Sequence, residues 1–143
     1  KIMATTTATV SISSGDLQPG NRLAINATST LTKTGLTTGM ELMEMGNAEI
    51  AKDYEGQLFA DAPATDNGAY WIYICNRSTD DTYYIEYKIH ETVIGILQAG
   101  DWMWTPWNAS DGDAEIEVKA LTGTNKIEYA LFKTAWTLPA AES

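Results

Sequence analysis

His90 and Cys75 are the only histidine and the only cysteine in this chain. Those two residue types do much of the nucleophilic and metal chemistry available near neutral pH. One thiol excludes an intrachain disulfide. A lone imidazole excludes a histidine-built metal site, and no Ser-His-Asp, metal-ligand or phosphate-loop spacing is found. No catalytic residue, metal or cofactor is therefore expected. Long apolar runs are also missing: nothing approaches the roughly 20 residues of a membrane span. Lys1-Ile2-Met3 leads straight into Ala and Thr without an apolar core, so no signal peptide is expected, and Met3-Ala4 reads as a start. Basic residues are scarce, nine against nineteen acidic ones, for a net charge of −10. Phosphate binding needs clustered Lys and Arg, so a nucleic-acid partner is not expected.

The deficit is uneven. Residues 1–39 carry Lys1, Arg22 and Lys33 against Asp16 alone, a balance of +2, which leaves −12 for residues 40–143. At 143 residues the chain is expected to form one domain. Such a domain buries roughly 70% of its extended-chain surface and needs no disulfide or metal to hold it.

Aromatic and β-branched residues supply the structure. The first third is rich in Thr and Ser, and Val10 and Ile12 alternate with polar neighbours. Two strands are predicted, near 6–13 and 22–32, around a Leu17-Gln18-Pro19-Gly20-Asn21 turn. Residues 47–52 fit either a short helix capped by Asn47 or a strand. A strand is predicted over 56–60 and a loop over 61–68. In the second half, Tyr83, Ile85, Tyr87 and Ile89 share one face, as do Ile116 with Val118 and Ile127, Tyr129 with Leu131. These residues are predicted to face inward, with Glu86, Lys88, Glu115, Glu117, Lys119 and Glu128 on solvated faces. Eight or nine short strands and no convincing long helix give an all-β fold, an antiparallel β-sandwich of jelly-roll type. The sandwich is expected to span 1–143, with residues 1–14 available as an extended N-terminal arm.

Trp102, Trp104 and Trp107 are the sharpest candidates for an interface. In a strand Trp102 and Trp104 share a face, and Pro106 ends the ladder or marks a sheet edge. They fit either core and subunit packing or an aromatic platform for a sugar or protein. Val10 and Ile12 are interface candidates in the low-charge N-terminal third. Trp71 and Trp136 read as packing residues, and Cys75 as a small buried hydrophobe. Asp111-Gly112-Asp113 with Glu115 lacks the EF-hand spacing and reads as a turn. Asn26-Ala27-Thr28, Asn76-Arg77-Ser78 and Asn108-Ala109-Ser110 match the glycosylation acceptor pattern, a weak signal in a chain rich in Ser and Thr.

Over roughly residues 69–133 the chain resembles small virion proteins of tailed bacteriophages. The residues that carry this are Tyr73-Ile74-Cys75-Asn76, Ser78-Thr79, Tyr84-Ile85-Glu86 and Leu97-Gln98-Ala99-Gly100-Asp101, followed by Trp104-Thr105-Pro106, Glu117-Val118-Lys119-Ala120 and Glu128-Tyr129. They form an arrangement of strands and turns, not a catalytic motif. The resemblance implies a structural β-sandwich of the virion, a capsid decoration or cement protein on the outer capsid surface. Its implied partners are the major capsid protein and further copies of itself, a trimer in particular. A carbohydrate-binding module and a tail or fibre subunit are the alternatives.

Overall fold

A computed structural model describes residues 4–18, 21–33, 40–58, 68–89, 91–108 and 116–137. All regular structure among them is β, in ten strands: β1 (Ala4–Gln18), β2 (Asn21–Lys33), β3 (Met40–Ile50), β4 (Glu55–Gln57), β5 (Gly68–Asn76), β6 (Tyr84–Ile89), β7 (Thr92–Gln98), β8 (Trp102–Asn108), β9 (Ile116–Ala120) and β10 (Asn125–Thr137). The chain divides into two compact units, residues 1–40 and residues 41–143.

The first unit is a two-stranded antiparallel ribbon of β1 and β2. The segment read as an arm runs, over residues 4–14, as one strand of this ribbon, paired residue for residue from Ala4↔Lys33 to Ser14↔Leu23. An irregularity separates Ser14 from the Gln18↔Asn21 pair next to the turn.

In the second unit two four-stranded antiparallel sheets pack face to face, in the orders β3-β10-β5-β8 and β4-β9-β6-β7. β10 therefore lies beside β3, β9 beside β4, β8 beside β5 and β7 beside β6. This is a folded-over strip whose strand pairs alternate between two sheets, the topology of a jelly roll. The fold is thus the all-β sandwich that the alternation predicts. Residues 47–50 belong to β3, and the chain then turns at Lys52-Asp53. β4 begins one residue before the strand predicted over 56–60 and ends at Gln57, although the Leu58 amide still donates to Ile116 O at 2.8 Å; residues 59–60 lie outside the described residues.

The core lies between the sheets. Tyr70, Ile72 and Ile74 of β5 meet Met103 and Trp107 of β8, Ile127 and Leu131 of β10, Ile85, Leu97, Ile116 and Val118. Full burial of one such aliphatic side chain is worth about 1.5–3 kcal/mol, so this cluster dominates the unit's stability. Of the residues predicted inward, Ile85, Ile116, Val118, Ile127 and Leu131 are fully buried. Tyr87, Ile89 and Tyr129 pack partly buried against the cluster. Tyr83 does something else. Its ring lies so close over Gly123 that a Cβ there would clash with it, and Gly123 has a φ of +57°. Only glycine suits that turn.

Candidate functional site: an aromatic sheet face

Residues directly opposite each other in an antiparallel pair lie on the same face of a sheet. In β5 and β8 the pairs Tyr70↔Trp107, Ile72↔Thr105 and Ile74↔Met103 belong to the inner face. The alternate pairs, Trp71↔Pro106, Tyr73↔Trp104 and Cys75↔Trp102, belong to the outer face. β10 extends each outer pair into a row, because Phe132 pairs with Trp71, Ala130 with Tyr73 and Glu128 with Cys75. The rows read Pro106–Trp71–Phe132, Trp104–Tyr73–Ala130 and Trp102–Cys75–Glu128. Strands β8, β5 and β10 thereby build a surface in which five of nine positions are aromatic.

The rings pack on one another. Trp71 and Trp104 stack with centroids 5.2 Å apart and planes 19° from parallel, and Phe132 meets Trp104 edge-on at 5.3 Å. Each such pair is worth about 0.5–1.5 kcal/mol beyond area burial. Cys75 and Ala130 are buried among these neighbours, while Trp102 remains 48% exposed. Cys75 is the buried small residue that its composition suggests. Tyr73 has its hydroxyl pKa pushed up, first by burial and then by the adjacent Cys75 and Glu128. It stays protonated through any physiological pH and serves as a donor, not a base. Glu128 pairs with Arg77 at 3.6 Å.

The three predicted tryptophans therefore separate. Trp102 and Trp104 share the outer face, whereas Trp107 is a core residue, 5% exposed, with its ring 5.7 Å from Tyr70. Pro106 marks an edge, since β8 ends its sheet. Trp71, read from the sequence as packing, and Phe132 complete the site. The alternation of Tyr70, Ile72 and Ile74 against Trp71 and Tyr73 already held that signal. Val10 and Ile12 lie in β1 opposite Ala27 and Ile25. Asn26 pairs with Ser11 in the ribbon, and Asn108 ends β8. His90, Asp111, Asp113 and Glu115 lie outside the described residues.

The opposite sheet carries another chemistry outside. Its rows are Glu55–Lys119–Glu86–Ile96 and Gln57–Glu117–Lys88–Val93. Glu55 binds both Lys88 and Lys119, the latter at 3.1 Å. Hydrogen bonds from these two ammonium groups hold the Glu55 carboxyl below its usual range, and Glu55 in turn raises the pKa of Lys88. The charges alternate in sign, three carboxylates against two ammonium groups, and the rows end in exposed Ile96 and Val93. No cluster of three metal-ligating side chains occurs among the described residues.

Asn76, the middle acceptor-pattern asparagine, is a structural clip. It is fully buried, and its Nδ2 donates to Tyr83 O at 3.2 Å, Leu97 O at 3.1 Å and Asn125 Oδ1 at 3.2 Å. Its Oδ1 accepts from Ser78 N at 3.1 Å. The buried Asn125 donates to Thr122 O at 2.7 Å. A side chain so enclosed offers no amide for modification in the folded protein.

No family model, curated protein or solved structure matches this chain.

Proposed function

We propose that this chain is a non-enzymatic structural protein of a phage virion, a decoration protein that binds the outer surface of the capsid and stabilises it. The observation that carries the reading is the aromatic face of β8, β5 and β10, a broad sheet surface suited to a macromolecule. Aromatic residues are enriched in protein interfaces and supply most of their hot spots. The motif arrangement of residues 69–133 and the jelly-roll topology both agree with a virion component. Jelly rolls also build lectin domains, so topology by itself does not choose between virion and sugar. The ring geometry favours the virion. Trp104 has one face committed to Trp71 and its neighbourhood to Phe132, which leaves Trp102 without a free coplanar partner for a sugar ring.

A decoration protein that binds only assembled capsid stabilises assembly by mass action. The direct test is gold-labelled antibody against the protein on intact virions, viewed by electron microscopy. Label over the capsid is expected; label on the tail, or none, overturns the assignment. In a binding assay on capsids stripped of the protein, Trp102→Ala should weaken attachment at least tenfold with the fold intact. Unchanged binding would move the contact off this face.

A further inference from the structure

A sheet edge in water is a row of open N–H and C=O groups, and proteins blunt such edges with charge, proline or shortness. Three edges of the sandwich are blunted. β8 carries Pro106, β4 is three residues long, and β3 carries Glu41, Glu44 and Glu49. β7, the remaining edge, reads Thr-Val-Ile-Gly-Ile-Leu-Gln, with neither charge nor proline. Val93, Ile94 and Ile96 on it are 49%, 51% and 54% exposed. Among the described residues no strand pairs with the outer side of β7. The Gln98 N–H donates to Asp101 Oδ2 at 3.0 Å, and Gln98 O accepts from Asp101 N at 2.9 Å, so both point away from β6. Tyr84, opposite Gln98, agrees: its carbonyl turns toward the end of β9 and accepts from Leu121 N at 3.0 Å. Backbone direction alternates along a strand, so the N–H and C=O of Ile96 face the open side too. The pairing with β6 passes from Gly95 to Val93 and leaves Ile94 as a bulge, which bends the edge and confines regular pairing to Gly95–Gln98.

Beside that edge, on the outer face, a pocket of about 370 Å³ is lined by Tyr84, Ile96, Gln98, Asp101 and Leu121. Two carboxylates border it: Asp101 in its wall, and Glu86 opposite Ile96 in the sheet. The lysines of that face, Lys88 and Lys119, are already held by Glu55. We infer that β7 takes an added strand, an extended segment of another protein whose side chains on this face alternate between apolar and basic. The residue opposite Ile96 exchanges both backbone hydrogen bonds with it and lays an apolar side chain toward the pocket. The next residue on the same face brings a Lys or Arg to Asp101, whose Oδ1 is left over by the bond to Gln98. Main-chain bonds give such an addition its affinity, and the side-chain pocket gives it selectivity.

Charge selects this occupant over the β7 of a second copy. Residues 40–143 carry −12, so two sandwiches meeting edge to edge repel, and β7 offers no cation to bridge them. A basic segment meets the opposite field. The inference stands apart from the aromatic face, which lies on the other sheet, and from whatever binds there.

The probe is a fluorescent eight-residue peptide of two Thr-Leu-Thr-Lys repeats, which sets Leu and Lys alternately on one face, titrated with the full chain by anisotropy. Saturable binding is expected, and binding at least tenfold weaker for the matching Thr-Leu-Thr-Glu peptide. N-methylation of the Leu and Lys amides, the ones that face β7, should abolish binding, whereas N-methylation of the Thr amides should not. Ile96→Lys should weaken the Lys peptide at least tenfold. Asp101→Asn, which keeps an acceptor for Gln98 N, should weaken it at least threefold. Glu49→Gln, on the other sheet, should leave the affinity within twofold of the parent. All five tryptophans lie in residues 41–143, so their fluorescence confirms that each variant keeps the sandwich folded. An absence of saturable binding, equal loss on either methylation, or indifference to Ile96→Lys or to Asp101→Asn would overturn the inference. So would sedimentation of the parent chain as a dimer that Ile96→Lys dissociates, since a second copy would then fill β7. Each of these outcomes leaves the proposed function standing.

Discussion

Asn76 shows how much a single polar side chain can organise. It sits where β5 ends, and its amide reaches the carbonyls of Tyr83 just before β6 and Leu97 near the end of β7, as well as Asn125 at the start of β10. Its backbone continues the pattern, donating to Asp101 O at 2.9 Å and accepting from Gly100 N at 2.7 Å. Truncation strands buried carbonyls that water cannot reach, and each stranded group costs about 1–3 kcal/mol. Asn76→Ala should therefore lower unfolding free energy by about 2–4 kcal/mol in urea titration, more than a surface Asn would. A loss under 0.5 kcal/mol, on the order of a surface change, would show the clip to be dispensable. In the sequence Asn76 stands as the first residue of an acceptor tripeptide. Its structural role was hidden because the partners lie 7, 21 and 49 positions away.

Strands were more legible than their outer faces. Period-2 alternation names the inward residues of β6, β9 and β10, because one buried face imposes one register. It cannot say what the outward residues meet, since that depends on which strands become neighbours. β10 was expected to show a solvated face. Beside β5 it presents Ala130 and Phe132 to Tyr73 and Trp71 instead. β6 and β9, in the sheet with β4, keep a charged, half-exposed outer face. Glu55 provides the pH test of that lattice. Its folded pKa lies below the usual 4.5, so its contribution is present above pH 4.5 and lost as pH falls through the lowered value. Lys88 works in the opposite sense: its pKa is raised above 10.5, so its contribution is lost as pH rises through the raised value. Glu55→Gln should flatten the fall in urea midpoint between pH 6 and pH 3. An identical pH profile in the two proteins would show the ion pairs to be energetically silent, as many exposed pairs are.

For the whole molecule, the division at residue 40 matters more than any one strand. The sequence reading placed a single sandwich over 1–143, whereas the paired strands of residues 4–33 form a unit of their own. Composition carried a trace of this in the charge step from +2 to −12, but charge alone does not mark a boundary. The sandwich is built from distant pairings, β3 with β10 and β4 with β9. Such topologies fold in milliseconds to seconds, slower than helical domains of equal length. Refolding followed by tryptophan fluorescence should fall in that range. A chain ending at Gly123 should show no cooperative transition, because β3 then has no neighbour in its sheet; a cooperative melt of that fragment would refute the dependence on β10.

That central place of β10 has a consequence on the ribosome. β1 and β2 are neighbours in sequence, so their ribbon can close within microseconds of emerging. β3 follows almost at once, yet its partner begins 75 residues after Ile50, at Asn125. At about 5–20 residues per second, β3 waits roughly 4–15 s with Ile50, buried in the finished fold, in the open. The nascent chain thus spends that interval with a finished ribbon and an unfinished sandwich.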